Sequence, residues 1–260
     1  MKIEESYIQL QDEKNIYVKT WTPERVRNHS PIVLLHDSLG SVDLWKTFPS
    51  QIAEQSSQRV IAYDRLGFGR SDPRKKLPSF EFIEEEAIIF FPLFKEQLNI
   101  SHYCLLGYSV GGAMAVNIAS RDNDCQSLIT LSAQAFVEEQ TIDGLKKAQH
   151  FFNQAGQIDR LRKWHGDKAT WVLQAWLDVW LSPDFAKWSL KPCIANVECP
   201  TLAIHGANDE YGSVAFPEFI SQNVAGSGRM LILEECGHMP HKEKNGEVID
   251  AIRSLLIDSI

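Results

Sequence analysis

The most chemically informative residue of the chain is Ser109, which lies in a G-x-S-x-G pattern running from Gly107 to Gly111. A short apolar run at residues 103–106 predicts a buried strand before it, and residues 112–119 predict a helix after it. A serine on such a sharp turn is held in a strained backbone, with its hydroxyl beyond the edge of the sheet. The free N–H groups of the new helix face any anion that forms beside that hydroxyl. The pattern therefore predicts that Ser109 is a nucleophile.

A serine hydroxyl is a weak nucleophile, so this chemistry also needs a base and a carboxylate that orients the base. His238 follows the last predicted strand and a glycine, which places it at the sheet edge where Ser109 is expected. His241, three residues later, is the alternative base. Asp209 follows the predicted strand at residues 201–204 and lies between the serine and the histidine in the chain, in the order expected of such a triad. We therefore predict a catalytic triad of Ser109, Asp209 and His238.

Two residues beside this predicted triad are expected to have other roles. Glu210 is adjacent to Asp209 and is expected to point elsewhere. His205 ends the same predicted strand and is expected to be structural. The remaining histidines have no comparable setting in the sequence; they are His29, His102, His150 and His165.

The reaction predicted for Ser109 passes through an oxyanion, which two preorganised donors must stabilise. One donor is expected to be the backbone N–H of Val110. The other is expected from the loop after the third predicted strand, at residues 36–41, where the backbone of Ser38 is the natural donor and its hydroxyl can assist. The predicted oxyanion hole is therefore Val110 and Ser38.

The elements that must position these residues follow from the hydrophobic pattern. Two short β-rich segments, residues 6–10 and 16–21, predict an antiparallel pair. Six further apolar runs do not alternate, which is typical of strands buried on both faces of a parallel sheet; they are residues 32–35, 60–63, 103–106, 128–131, 201–204 and 230–233. Helices are predicted at residues 45–55, 80–98 with a kink at Pro92, 112–120, 216–223 and 246–257. Strands that alternate with helices predict a doubly wound α/β architecture.

Residues 136–190 interrupt this alternation, because they are helical in character and contain no good strand. They hold five of the chain's seven tryptophans, namely Trp164, Trp171, Trp176, Trp180 and Trp188. These side chains can form the core of a small helical subdomain, or an apolar ceiling over Ser109, and both can hold. We expect residues 1–135 and 191–260 to form the core domain and residues 136–190 to form a helical cap. Trp164, Trp171 and Trp176 are the candidate substrate-pocket residues.

The composition suits one globular domain, with 44% hydrophobic and 23% charged residues among 260. A formal net charge of -8, spread along the chain, argues against nucleic acid or an anionic membrane as a partner. Five cysteines at scattered spacings, with no C-x-x-C pair, support neither a zinc site nor a disulfide framework. Because the sequence contains no signal segment and no apolar run of about 18 residues, the expected location is the cytoplasm.

Taken together, these motifs resemble those of the α/β-hydrolase superfamily over nearly the whole chain. The resemblance is carried by G-Y-S-V-G-G at 107–112, the loop at His36, D-R-L-G-F-G-R-S at 64–71, H-G-A-N-D at 205–209 and G-H at 237–238. It implies an eight-stranded, mostly parallel sheet flanked by helices, a helical cap after the sixth strand, no metal and no organic cofactor. One departure is Asp37, where many relatives have glycine. A carboxylate that faces an oxyanion is costly, so we expect Asp37 to point away, and the identity of the second oxyanion donor stays open.

Several functions fit these residues. The leading hypothesis is a cofactor-independent serine hydrolase that cleaves a small carboxylic ester or thioester with an apolar or aromatic acyl group. The same triad serves carbon–carbon bond hydrolysis of ring-fission diketones in similar enzymes, and acyl transfer differs only in the final nucleophile. Some proteins of this fold are small-molecule receptors that retain the triad. Dehalogenases and epoxide hydrolases of this fold use an aspartate nucleophile, so Ser109 counts against both. The sequence leaves the substrate and the oligomeric state open.

Overall fold

Eight strands form a single, mostly parallel sheet in the order β1-β2-β4-β3-β5-β6-β7-β8. The computed structural model describes residues 1–10 and 13–258. β1 pairs antiparallel with β2, and β2 pairs antiparallel with β4, whereas every later pairing is parallel. The strands are β1 Lys2–Gln9, β2 Asn15–Thr22, β3 Asn28–Leu35, β4 Gln58–Tyr63, β5 Tyr103–Tyr108, β6 Cys125–Leu131, β7 Thr201–Gly206 and β8 Gly228–Leu233. The predicted antiparallel pair and all six predicted parallel strands are therefore confirmed.

Helices follow most of the strands. They are α1 Phe48–Ser56, α2 Phe82–Glu85, α3 Phe91–Gln97, α4 Val110–Ala119, α5 Glu139–Phe152, α6 Asp159–His165, α7 Ala169–Trp180, α8 Ala215–Asn223, α9 Pro240–Glu243 and α10 Asn245–Asp258. Among these described residues, no helix combines the length and the apolar character needed to cross a bilayer.

The helix predicted at residues 80–98 is not continuous. A π-helical turn, Glu86–Phe90, separates α2 from α3, and the N–H of Phe91 reaches back to the carbonyl of Glu86. Pro92 lies in the first turn of α3, where a missing N–H leaves no hydrogen bond unmade. The irregularity therefore precedes the proline instead of kinking the helix at it. Glu86, which opens the π turn, is buried.

The sheet has an apolar layer on each face because successive side chains of a strand point to opposite sides. Along β3, Val33 and Leu35 join one buried cluster, whereas Ile32 and Leu34 join the other. The first cluster includes residues of α2, α3 and α4, and the second includes residues of α1 and α10. Burial on both faces explains the non-alternating apolar runs, and it leaves the carboxyl ends of the strands as the edge where polar loops meet.

The segment between β6 and β7 carries α5, α6 and α7. Within residues 136–190, all of which the structure describes, the β pairing is a single bridge between Phe136 and Ser189. Beside it, the N–H of Leu190 donates to the carbonyl of Ala135 at 2.7 Å, so the chain leaves and re-enters the sheet layer at one point. The segment also has packing of its own, since Trp180 contacts Phe185 and Trp188 with ring centroids 5.0 and 5.6 Å away.

Candidate active site

Ser109 connects β5 to α4 with a backbone conformation of φ 55° and ψ −126°, which side-chain-bearing residues rarely adopt. The turn is possible because glycines flank it. A Cβ on Gly107 would lie 2.2 Å from the carbonyl oxygen of Gly111, and a Cβ on Gly111 would lie 2.3 Å from that of Leu35. The helix therefore begins directly after the serine, with the N–H of Val110 at its amino end.

The structure brings the three residues of the predicted triad together. His238 Nε2 lies 3.0 Å from Ser109 Oγ, and its Nδ1 lies 2.9 and 2.8 Å from the two carboxylate oxygens of Asp209. Because a carboxylate can only accept, Nδ1 carries a proton and Nε2 is free to accept the proton of the serine. Ser109 and Asp209 are 5% and 3% exposed, so water competes little for these contacts. This arrangement can activate a serine hydroxyl.

The electrostatics of the pair favour a charged imidazole. Burial of His238 opposes its protonated form, but the hydrogen bond and charge of Asp209, together with the charges of Glu210 and Asp37, outweigh burial, so the pKa of His238 is raised above its usual 6.5. Burial of Asp209 opposes its ionised form, but His238 outweighs burial and the pKa of Asp209 is lowered. An ionised Asp209 therefore stabilises the imidazolium that forms when His238 takes a proton.

Residues outside the predicted triad hold these loops in place. Glu243 accepts the N–H groups of Gly237 and Met239 at 2.7 and 3.0 Å, and so clamps the peptide groups on both sides of His238. Gln140, on α5, donates to the carbonyl of Asp209 at 2.6 Å. No local sequence signal marks Glu243 or Gln140, because each acts through a contact between separate segments.

The alternative residues lie in other settings. His241 packs against Trp45 and Tyr108, with ring centroids 5.2 and 4.7 Å away, and burial lowers its pKa to about 3. His205 Nε2 lies 3.0 Å from the carbonyl of Gly212 and therefore donates to it. Neither ring has a hydrogen bond to Ser109 among the contacts of the described residues. Glu210 lies on the wall of the cavity described below.

Two hydrogen bonds to the loop after β3 fix the direction of one of its peptide N–H groups. His36 Nδ1 and Arg65 Nη2 both donate to the carbonyl oxygen of Asp37, each at 2.8 Å. Because the C=O and N–H of a trans peptide point in opposite directions, the N–H of Ser38 points away from His36 and Arg65. Neither this N–H nor that of Val110 donates to another group in the described part of the chain. Both groups are available to an oxyanion.

Asp37, the departure noted in the sequence, folds over its own loop. A Cβ on Gly40 would lie 2.1 Å from Asp37 Oδ1, so this glycine makes room for the carboxylate. Burial raises the pKa of Asp37, and the nearby charges of Lys242 and His238 oppose that shift. Asp37 also lies among the residues that line the cavity.

A cavity of about 190 Å³ opens beside Ser109 and His238. A cavity of roughly 150 Å³ in another protein holds benzene, so the space suits a small substrate group. Its polar and apolar walls come from α5, α7 and the loops after β6 and β7, and they include Gln134, Thr141, Leu145, Trp176, Trp180 and Tyr211. We call this space the triad cavity.

Of the three tryptophans proposed for the pocket, only Trp176 lies on the wall of the triad cavity. Trp171 packs instead against Phe68 and donates to the carbonyl of Lys76 at 3.2 Å. Trp164 lies near the surface, where Lys46 Nζ is 3.8 Å from the centre of its ring. The structure thus corrects two of the three assignments, because the faces that α6 and α7 turn toward the cavity depend on how they pack.

Several cavity residues were missed from the sequence, among them Trp180 and Gln134. Trp180 is four residues after Trp176 on α7 and therefore shares its face, so the helical spacing could have identified it. Gln134 follows β6, and its amide nitrogen and oxygen lie 3.3 and 3.4 Å from Ser109 Oγ. No pattern in the sequence marks Gln134.

Among the described residues, no group of three or more His, Cys, Asp or Glu side chains could hold a metal ion.

Comparison with known proteins agrees with this geometry. Residues 30–157 match a family model described as the alpha/beta hydrolase fold. A proline iminopeptidase of Lactobacillus crispatus is 26% identical over 267 residues, which cover 87% of this chain and 90% of that protein. Among solved structures, a membrane phospholipase A has a TM-score of 0.79 at 19% identity, over 99% of this chain and 86% of that one. The enol-lactonase from Burkholderia xenovorans has a TM-score of 0.75 at 20% identity, over 97% of this chain and 100% of that one.

Proposed function

Because the chain belongs to the α/β-hydrolase superfamily and is a hydrolase, we propose that it cleaves a small carboxylic ester or thioester through an acyl-enzyme on Ser109, without a cofactor. The observation that carries this proposal is the continuous chain of contacts from Asp209 through His238 to Ser109, at 2.8 to 3.0 Å. The free N–H groups of Val110 and Ser38 supply the second requirement, which is stabilisation of an oxyanion.

In the first half-reaction, Ser109 Oγ attacks the substrate carbonyl carbon while His238 Nε2 takes the hydroxyl proton. The carbonyl oxygen becomes the oxyanion and accepts hydrogen bonds from Val110 and Ser38. His238 then gives its proton to the departing alcohol or thiol, which leaves an ester on Ser109. In the second half, water loses a proton to His238 and attacks the same carbon. The bond from that carbon to Ser109 Oγ then breaks, Oγ takes the proton from His238, and the acid is released.

Residues 136–190 form the cap in this proposal. Trp176 and Trp180 on α7 and Leu145 on α5 provide apolar surface to the triad cavity. Their position over the serine supports an apolar or aromatic substrate group and limits the access of water to the oxyanion. The cavity volume of about 190 Å³ supports a small substrate and argues against a long lipid chain.

The same triad can serve other reactions, and the test below compares ester cleavage with them. The enol-lactonase with a similar fold is named for cleaving a cyclic ester, and the proline iminopeptidase is named as a peptidase. Carbon–carbon bond hydrolysis of a ring-fission diketone uses the same nucleophile and base. A receptor of this fold would bind its ligand with negligible steady-state turnover.

The proposal is tested with p-nitrophenyl esters and matched thioesters of acetyl to octanoyl acids and phenylacetic acid. A ring-fission diketone and proline p-nitroanilide are run beside them. We expect turnover of the short or aromatic esters, loss of kcat by about 10³ to 10⁶ in Ser109→Ala, and fluorophosphonate labelling of Ser109 alone. Ser101→Ala, at an exposed serine, is the matched control and should keep both activity and labelling. Faster turnover of the diketone or the anilide than of every ester would refute the proposal, and so would labelling of another residue.

A further inference from the structure

A narrower space adjoins the triad cavity and contains buried charges that the proposed mechanism does not use. We call it the inner crevice. It shares Ser38, Trp176 and Trp180 with the triad cavity, and its other walls include Arg65, Phe82, Glu86, Phe90 and Val110. The centre of a water molecule can occupy about 20 Å³ of this space. The inner crevice therefore has room for one small polar group.

Arg65 is 5% exposed and has hydrogen-bonding capacity to spare. Its Nη2 donates to the carbonyl of Asp37, and its backbone N–H donates to His36 Nε2 at 3.1 Å. Its Nε is buried without a hydrogen-bond partner. No described carboxylate oxygen lies within 4.0 Å of the guanidinium. The ring of Phe68 contacts the guanidinium, with its centre 4.4 Å from Cζ, but no carboxylate pairs with it. Because a buried cation without an ion-pair partner is costly, this side chain is poised to donate to another group.

Glu86 complements Arg65 across the inner crevice. It is 4% exposed, and its Oε1 accepts the hydroxyl of Tyr63 at 2.5 Å, whereas Oε2 accepts no hydrogen bond from a described residue. Burial raises the pKa of Glu86, and the charge of Arg65 opposes that shift. The two charges therefore act on each other without touching, and the gap between them offers a donor on one side and an acceptor on the other. Glu86 also opens the π-helical turn, a feature that is frequent at functional sites.

The inner crevice lies on the acyl side of the predicted reaction. His238 gives its proton to the leaving group, so the leaving group must lie next to His238. His238 is on the wall of the triad cavity and not on that of the inner crevice. Val110 and Ser38, which face the carbonyl oxygen in the proposed mechanism, both line the inner crevice. The part of the substrate that passes these donors is therefore the acyl chain.

Resting on the proposed function, we infer that the inner crevice binds a hydroxyl group at the far end of the acyl chain. The oxygen of this hydroxyl accepts from Arg65, and its hydrogen is donated to Glu86 Oε2. A terminal methyl leaves Arg65 Nε and Glu86 Oε2 without hydrogen bonds, and a terminal carboxylate faces Glu86. The preferred substrates are thus esters or thioesters of ω-hydroxy acids, because one hydroxyl fits the space and satisfies both residues.

The test is a series of p-nitrophenyl esters at each acyl length, ending in a methyl, a hydroxyl or a carboxylate group. At one or two adjacent lengths, kcat/KM should be at least about tenfold higher for the hydroxyl than for the methyl compound, since sites built to bond a hydroxyl discriminate strongly. Glu86→Gln keeps the shape and an oxygen for Tyr63, but turns a donor toward the hydroxyl hydrogen. This variant should reduce the hydroxyl-to-methyl ratio at least fivefold or so. Glu81→Gln, at an exposed position just before α2, should leave the ratio unchanged.

Three results would overturn the inference. A ratio near one at every acyl length, with acetyl ester still hydrolysed, means that the inner crevice holds only a structural water. A preference for the carboxylate means that it is an anion site. An unchanged ratio in Glu86→Gln, with a thermal midpoint like that of the parent, means that the preference arises elsewhere. If no ester is hydrolysed at all, the proposed function fails and this inference falls with it.

Discussion

Replacing Asp209 by asparagine tests the assignment of the triad most directly, because it alters the imidazole and little else. Asp209 Oδ1 accepts the N–H of Tyr211 at 2.8 Å, and Oδ2 lies 2.8 Å from His238 Nδ1. An asparagine must keep its oxygen toward Tyr211, since the opposite orientation places two donors 2.8 Å apart. Its amide nitrogen then takes the position 2.8 Å from Nδ1, while its oxygen stays 2.9 Å from the same atom. The nitrogen can only donate there, which favours the tautomer that carries the imidazole proton on Nε2. In that tautomer Nε2 faces Ser109 at 3.0 Å as a donor and cannot accept the serine proton.

The expected loss follows from the same geometry. An imidazole held in the wrong tautomer lowers kcat by about 10⁴ in a serine-protease triad, which corresponds to roughly 5 kcal/mol of transition-state stabilisation. We therefore expect Asp209→Asn to lose about 10³ to 10⁴ in kcat, with KM much less affected. Asp209 also raises the pKa of His238 above 6.5, so wild-type activity should fall as the pH decreases through a value above 6.5. Without the carboxylate, the acid limb of the residual activity should move to lower pH.

The measurement is kcat between about pH 5 and pH 9 on the best ester of the panel, a window that brackets the usual pKa of histidine. A thermal melt shows whether the variant is folded. Glu210→Gln is the matched control for the adjacent carboxylate. The charge of Glu210 contributes less than Asp209 to the raised pKa of His238, so this variant should move the acid limb less than Asp209→Asn does. A loss of less than about tenfold in Asp209→Asn, or a larger loss in Glu210→Gln, would refute the assignment of Asp209 and its tautomer argument.

Three further outcomes follow. Trp176→Ala should change the ranking of ester substrates, because this ring lines both the triad cavity and the inner crevice. Trp164→Ala should leave the ranking unchanged. Equal effects of the two variants on the ranking would contradict the pocket assignment. Burial lowers the pKa of His165 from 6.5 to about 4, so below pH 6.5 the unfolded chain binds a proton that the folded protein does not. The contribution of His165 should therefore lower the free energy of unfolding, measured in urea, by about 3 kcal/mol between pH 6.5 and pH 4. His165→Gln should flatten that pH dependence. An equally steep pH dependence in the variant would exclude His165 as its source. Gly112→Ala places a methyl 2.4 Å from a neighbouring alanine side chain and should cost about 1 to 3 kcal/mol. Gly246→Ala, where a Cβ meets nothing within 4 Å, should be neutral or slightly stabilising, and the reverse order of the two glycine variants would count against the packing argument.

Much of the fold could be predicted because its signals are local. Non-alternating apolar runs identified the parallel strands, since these strands are buried on both faces of the sheet. The π-helical turn at Glu86–Phe90 could not be read in the same way. A helical pattern specifies which residues face the core, but a shift in hydrogen-bond register within a helix depends on what packs against it.

The sequence by itself determined which residues could do chemistry and at which edge of the sheet they would lie. Ser109, Asp209 and His238 each follow a strand, and parallel strands end at one edge, so their order in the chain sufficed to propose them as a triad. Only the tertiary structure decided what surrounds them. Arg65 reaches the carbonyl of Asp37, and Gln134 reaches the hydroxyl of Ser109. These contacts join segments far apart in the chain, and the direction of a side chain there is set by the packing of its neighbours, which no local pattern encodes.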